Sequence, residues 1–140
     1  MRLAFLALFA LWAGCAHAAE FDDLVSPTGC AGNKEPVFCE QYLATLRKEY
    51  PQALRGDYQA QRNVSYCLTT SCDGALKINR PLGCAWRAVI LGGNRKADNT
   101  DVDSFNTYCR GKLTGGDVLL FANHLDTLFR RIYKRPAPAL

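Results

Sequence analysis

The sequence predicts an all-α protein: four to six helices in antiparallel succession, forming one domain stapled by disulfides. Three observations carry this. In the last third of the chain Val118, Phe121, Ala122, Leu125, Phe129 and Ile132 return every three or four positions, the period of one helix face. No segment sustains the alternation of apolar and polar residues that marks a half-buried strand. The chain has 7 cysteines in 140 residues, and the 6 that remain once Cys15 is set aside suit cross-linking in a small exported domain.

The export reading begins at residue 1. "MRLAFLALFALWAGCAHA" carries Arg2, an apolar run from Leu3 to Ala13, and the small-x-small pattern Ala16-His17-Ala18. This is the grammar of a cleaved signal peptide over residues 1–18, with a mature start near Ala19. A membrane anchor would need roughly 20 apolar residues, more than this run supplies. Lipoprotein processing at "WAGC", with Cys15 acylated, is the lesser alternative. Residues 19–135 then form a single helical domain, and residues 136–140, "PAPAL" after Arg135, a disordered tail. The predicted location is periplasmic or secreted, with no transmembrane segment in the mature chain.

Loss of Arg2 from the 17 Lys and Arg leaves 16 against 13 Asp and Glu, a net charge of about +3. So small an excess points to no nucleic acid or other polyanion as obligate partner. The cysteines could also be written as a zinc set of Cys67, Cys72, Cys84 and Cys109. Their spacing is irregular, no C-x-x-C knuckle is present, and His124 is the one histidine after His17. No cofactor or metal is expected.

Along the chain, residues 20–33 read as irregular. Glu35 to Tyr50 is helical, with Pro36 in the first turn, Cys39, Tyr42, Leu43, Leu46 and Tyr50 facing inward, and Pro51 as the stop. Asp57 is placed as the N-cap of a second helix with Ala60, Val64, Cys67 and Leu68 on one face. "SCDGALKINR" carries Asp73-Gly74 and Asn79 and reads as a loop. A third helix starts at Pro81 and is predicted to end on a left-handed cap at Gly92-Gly93. Thr100 is placed as the cap of a fourth helix with Val102, Phe105, Tyr108 and Cys109 inward. Thr114 is placed as the cap of the last, whose C-terminal Arg130, Arg131, Lys134 and Arg135 complement the helix dipole.

Within the second and third helices, "GDYQAQRNVSYCL", the turn Asp73-Gly74-Ala75 and "NRPLGCAWRAVILGGN" resemble one Sel1-like repeat, a helix-turn-helix relative of the tetratricopeptide repeat. The match covers residues 55–94. It implies two closely packed helices, with Ala60, Ala85 and Ala88 letting backbones approach and Trp86 or Tyr66 filling the gap beside them. It also implies a scaffold for binding other proteins, with no shared chemistry. In such a stack the ends carrying Cys67, Cys84 and Cys109 lie at one edge, with Cys72 close to all of them. The pairing ranked first is Cys30 with Cys39, Cys67 with Cys72, and Cys84 with Cys109. Cys67 with Cys84 and Cys72 with Cys109 is an alternative.

Catalytic constellations are sparse. His124 has no partner motif, and the close pairs Asp101 and Asp103, and Asp22 and Asp23, read as caps and solvated charge. "RGD" at Arg55–Asp57 serves the helix start, and the sequon at Asn63 lies inside a helix. The reading is a non-enzymatic binding module for an unidentified envelope or extracellular protein, with Tyr58, Arg62 and Arg87 as its candidate surface. A small envelope hydrolase, or an inhibitor of one, is the alternative.

Overall fold

The computed structural model describes residues 18–93 and 96–139. The predicted signal peptide and Cys15 lie outside these residues, apart from Ala18. Helices α1 (Pro36–Leu54), α2 (Tyr58–Thr70), α3 (Arg80–Gly93), α4 (Asn99–Tyr108) and α5 (Gly116–Tyr133) follow one another, and residues 18–22 are also helical. Among the described residues there is no strand, only an isolated antiparallel bridge between Val25 and Leu76. The protein is all-α and carries disulfide staples.

Helix α3 is the centre. Every residue from Gly83 to Ile90 is buried, so this helix has no solvent-facing side over two turns. It packs against α2, α4 and α5, while α1 lies against α2 and touches α5. Such enclosure requires small residues where backbones meet. A Cβ added at Gly83 would stand 2.7 Å from Thr69 Cγ2 and 3.1 Å from Leu68 Cβ, which is how α2 comes so near. Trp86 is fully buried beside Tyr50, ring centres 6.3 Å apart. Phe21 extends this aromatic cluster from the N-terminal segment, 5.6 Å from Tyr50.

The disulfides join Cys30 to Cys39, Cys67 to Cys72 and Cys84 to Cys109, the pairing ranked first above. Cys30–Cys39 ties the N-terminal segment to the start of α1. Cys67–Cys72 closes a turn in which Ser71, Cys72 and Asp73 all have positive φ, 70°, 46° and 54°, conformations that cost L-residues about 1 to 2 kcal/mol each. Cys84–Cys109 fastens the end of α4 to the start of α3.

Several local expectations are corrected. Helix α1 runs through Pro51 to Leu54. An interior proline costs about 3 kcal/mol, and here the extra turn buries Ala53 and Leu54 and gives the Ala53 carbonyl the Gln61 amide as donor at 3.2 Å. Gly92 and Gly93 are helical instead of forming a left-handed cap. Their role is close approach, since a Cβ on Gly93 would run into the Tyr133 ring. Asp98, not Thr100, caps α4 through a capping box with Asp101, and Gly115, not Thr114, precedes α5 without a side-chain cap. Tyr42, Tyr66, Val102 and Val118 are exposed, because α1, α2, α4 and α5 each have only one covered side at those positions. Residues 136–139, expected as part of a disordered tail, make a few contacts with the core and with α5. The Ala137 amide donates to Asp126 at 3.3 Å, Ala137 packs on the core, and Arg135 lies 5.0 Å over the Phe129 ring.

Candidate functional site

Two of the residues predicted to form the surface, Tyr58 and Arg62, lie one turn apart on α2. The Arg62 guanidinium sits 4.5 Å over the Tyr58 ring. Both then reach α4: Arg62 Nε donates to Asp101 at 2.6 Å and Nη2 to Asp98 at 2.9 Å, and the Tyr58 hydroxyl donates to Asp101 at 2.5 Å. Asp101 also accepts from the Asp98 amide at 2.9 Å, closing the capping box. Burial pushes the Asp101 carboxyl up, but the hydrogen bonds from Arg62, Tyr58 and the Asp98 amide outweigh it and hold the group below the usual aspartate range. The Tyr58 phenol is pushed up to about 12, chiefly by desolvation and then by its bond to the Asp101 anion. Tyr58 and Arg62 are therefore a clamp between α2 and α4, with their polar atoms turned inward.

Arg87, the remaining predicted surface residue, is 6 % exposed. This is a correction: the enclosure of α3 leaves no position from Gly83 to Ile90 open to a partner. Arg87 Nη2 donates to Thr69 Oγ1 at 3.1 Å, and the guanidinium lies 4.4 Å over the Tyr108 ring. Burial lowers its pKa, opposed by the negative potential of Tyr108, Asp101 and Tyr66. Arg87 is a buried cation held by an aromatic face instead of a carboxylate.

An open groove lies elsewhere, between α1 and α2. Phe38, Gln41, Tyr42, Thr45, Leu46 and Glu49 recur at helical spacing along α1 and, with Asn63, Tyr66 and Cys67 of α2, line a groove of about 340 Å³. Leu46 and Cys67 form its buried floor, while Phe38, Tyr42 and Tyr66 stand 53 %, 39 % and 45 % exposed at its rim. Asn63 Nδ2 donates to both oxygens of Glu49, at 2.8 and 2.9 Å, and Asn63 Oδ1 accepts from Gln59 at 3.0 Å. This chain of amides fixes the carboxylate. Tyr66 is further held by an edge-on contact with Tyr108, ring centres 6.3 Å apart. The arrangement offers aromatic faces around one oriented anion, which is recognition chemistry.

Sequence reasoning missed this groove because it assigned Tyr42 to the core and Tyr66 to filling a gap. A signal was present. Phe38, Tyr42, Thr45 and Glu49 form a second stripe on α1, displaced from the core stripe of Cys39, Leu46, Tyr50 and Ala53. His124 lies half-buried on α5, and desolvation lowers its pKa. Among the described residues no three of His, Cys, Asp and Glu come together as a metal site would need, and no helix is long and apolar enough to cross a membrane.

No family model, curated protein or solved structure matches this chain.

Proposed function

We propose that this protein is an exported, Sel1-like helical binding module that recognises another protein of the envelope or extracellular space through the α1–α2 groove. The observation that carries the reading is the groove itself: Phe38, Tyr42 and Tyr66 stand exposed at the rim of a cleft, whereas Phe21, Tyr50, Trp86 and Phe129 are buried in the core. Exposed Tyr and other aromatics on a rigid support are the residue types that anchor protein interfaces. Rigidity comes from Cys30–Cys39 at one end of α1 and Cys67–Cys72 at the end of α2.

The pairing of all six cysteines beyond residue 18 supports the oxidising compartment that the N-terminal sequence suggests. The close packing of α2 on α3 at Gly83, with Ala60 and Ala85 buried, supports the two-helix unit of the resemblance. The basic cluster after residue 129 engages the protein's own groups: Arg130 pairs with Asp126 at 2.6 Å and Arg131 with Glu20 at 2.7 Å. That leaves the α1–α2 groove as the better candidate surface.

The test is chemical cross-linking and capture from an envelope extract with the mature protein, beside a Phe38→Ser/Tyr66→Ser variant of unchanged circular dichroism. A partner held by the native protein and released by the variant supports the reading. Equal capture by both overturns it.

A further inference from the structure

We infer that the α1–α2 groove takes a basic side chain, an arginine or lysine presented by the partner polypeptide, seated among Phe38, Tyr42 and Tyr66 with its charge toward Glu49. This rests on the binding function proposed above and specifies its partner chemically.

Charge is the first argument. Glu49 is the one acidic residue among those lining the groove, and no Lys, Arg or His lines it. The cations nearest in sequence are directed elsewhere: Arg62 to Asp98 and Asp101, Arg47 to Asp22, and Lys48 to the opposite flank of α1. A local anion thus stands on a chain of formal charge +4, and charges farther than about 8 to 10 Å away are largely screened at physiological salt. An acidic occupant would be repelled. A purely apolar one would displace water from the lone pairs of Glu49 that Asn63 does not occupy and put nothing in its place.

Hydrogen-bonding capacity is the second. A carboxylate has about four lone-pair positions, and Asn63 occupies one on each oxygen. The Asn63 amide that would otherwise fork onto sugar hydroxyls already has Glu49 on its NH2 and Gln59 on its oxygen. What remains for a ligand is acceptor capacity flanked by ring faces, the environment that favours guanidinium or ammonium over a neutral polyol. A cleft of about 340 Å³ has room for one long side chain and not for a folded element.

The experiment uses the mature, disulfide-bonded protein and three probes: the peptide acetyl-Gly-Gly-Arg-Gly-Gly-amide, its citrulline twin, which is neutral and nearly isosteric, and methyl β-glucoside. NMR titration should show saturable shifts of the Tyr42 and Tyr66 ring signals with the arginine peptide. The citrulline twin should bind about fivefold more weakly, the effect expected of one solvent-facing charge pair. Glu49→Gln keeps an acceptor for Asn63 and should reduce the arginine peptide to the level of its twin. Equal binding of the two peptides, indifference to Glu49→Gln, shifts confined to other surfaces, or stronger binding of the glucoside would each overturn the inference. If Phe38→Ser/Tyr66→Ser abolishes partner capture while Glu49→Gln leaves it intact, the charge assignment fails and the binding function stands. If neither variant changes capture, both fail.

Discussion

Asp101 is the point at which the N-terminal end of α4 is fastened to α2, and one substitution tests that joint. Helix α4 packs chiefly on α3, Tyr66 of α2 meets Tyr108 at its last turn, and two further devices hold it: Cys84–Cys109 at its C-terminal end and the Asp101 cluster at its N-terminal end. Asp101→Asn keeps the side-chain size but removes the anion that accepts from Arg62, Tyr58 and the Asp98 amide. A hydrogen bond to a charged group contributes about 1.5 to 3 kcal/mol net. Arg62 is 28 % exposed at its side chain and retains Asp98, so only part of its interaction is lost. The expected loss is about 2 kcal/mol. Urea unfolding with an unchanged m-value measures it, and hydrogen exchange locates it: amides at the start of α4 should exchange faster while those near Cys109 stay protected.

The pH dependence gives a second readout on the same substitution. Because the folded protein holds the Asp101 carboxyl below its usual range, the unfolded chain takes up that proton first as pH falls. The carboxylate's contribution is fully present above the unfolded pKa and disappears as pH drops through the lower, folded value. Asp101→Asn should therefore flatten the acid side of the stability curve. A loss under about 0.5 kcal/mol, uniform exchange along α4, or an unchanged acid slope would refute the clamp.

Other perturbations probe other joints. Trp86→Ala should cost about 3 to 5 kcal/mol, because the indole is fully buried at the centre of the fold; a smaller loss by calorimetry would mean that the neighbouring helices collapse into the gap. Cys84→Ser/Cys109→Ser opens a span of 25 residues, for which loop-closure entropy predicts about 3.5 kcal/mol, read as a fall in the urea midpoint. Gly93→Ala should lower Tm by a few degrees, through overpacking of about 1 to 3 kcal/mol, and Tyr133→Ala in the same chain should relieve part of that cost. In an alkaline spectrophotometric titration the Tyr58 phenol should ionise near its raised value of about 12, and Asp101→Asn should bring it down.

The relation between sequence and structure is clearest helix by helix. The apolar stripe of α5, with Leu125 and Phe129 at its buried centre, and the Asp57 cap of α2, whose carboxylate accepts from the Ala60 amide at 2.8 Å, follow the local pattern. The end of α1 does not. Proline is a local stop signal, and it is overridden because Ala53 and Leu54 are buried in the core and the Ala53 carbonyl accepts from Gln61 of the next helix. Capping by Asp98 was obscured by Thr100, which sits two residues later with equally suitable chemistry. Arg87 shows the limit most plainly: a charged residue reads as surface unless one knows that α2, α4 and α5 all enclose the same helix.

By itself the sequence determined the period of each long helix, because that depends on spacing along the chain; it ranked the cysteine pairings without choosing among them, and the structure shows the one ranked first. Which side of each helix would be covered was decided only in three dimensions. Burial is a property of neighbours, and nothing local distinguishes Trp86, enclosed in α3, from Tyr66, left standing over a groove beside Glu49. For the same reason the stretch "GCAWRAVILGG" is core throughout its middle, and the groove proposed for a partner lies between α1 and α2.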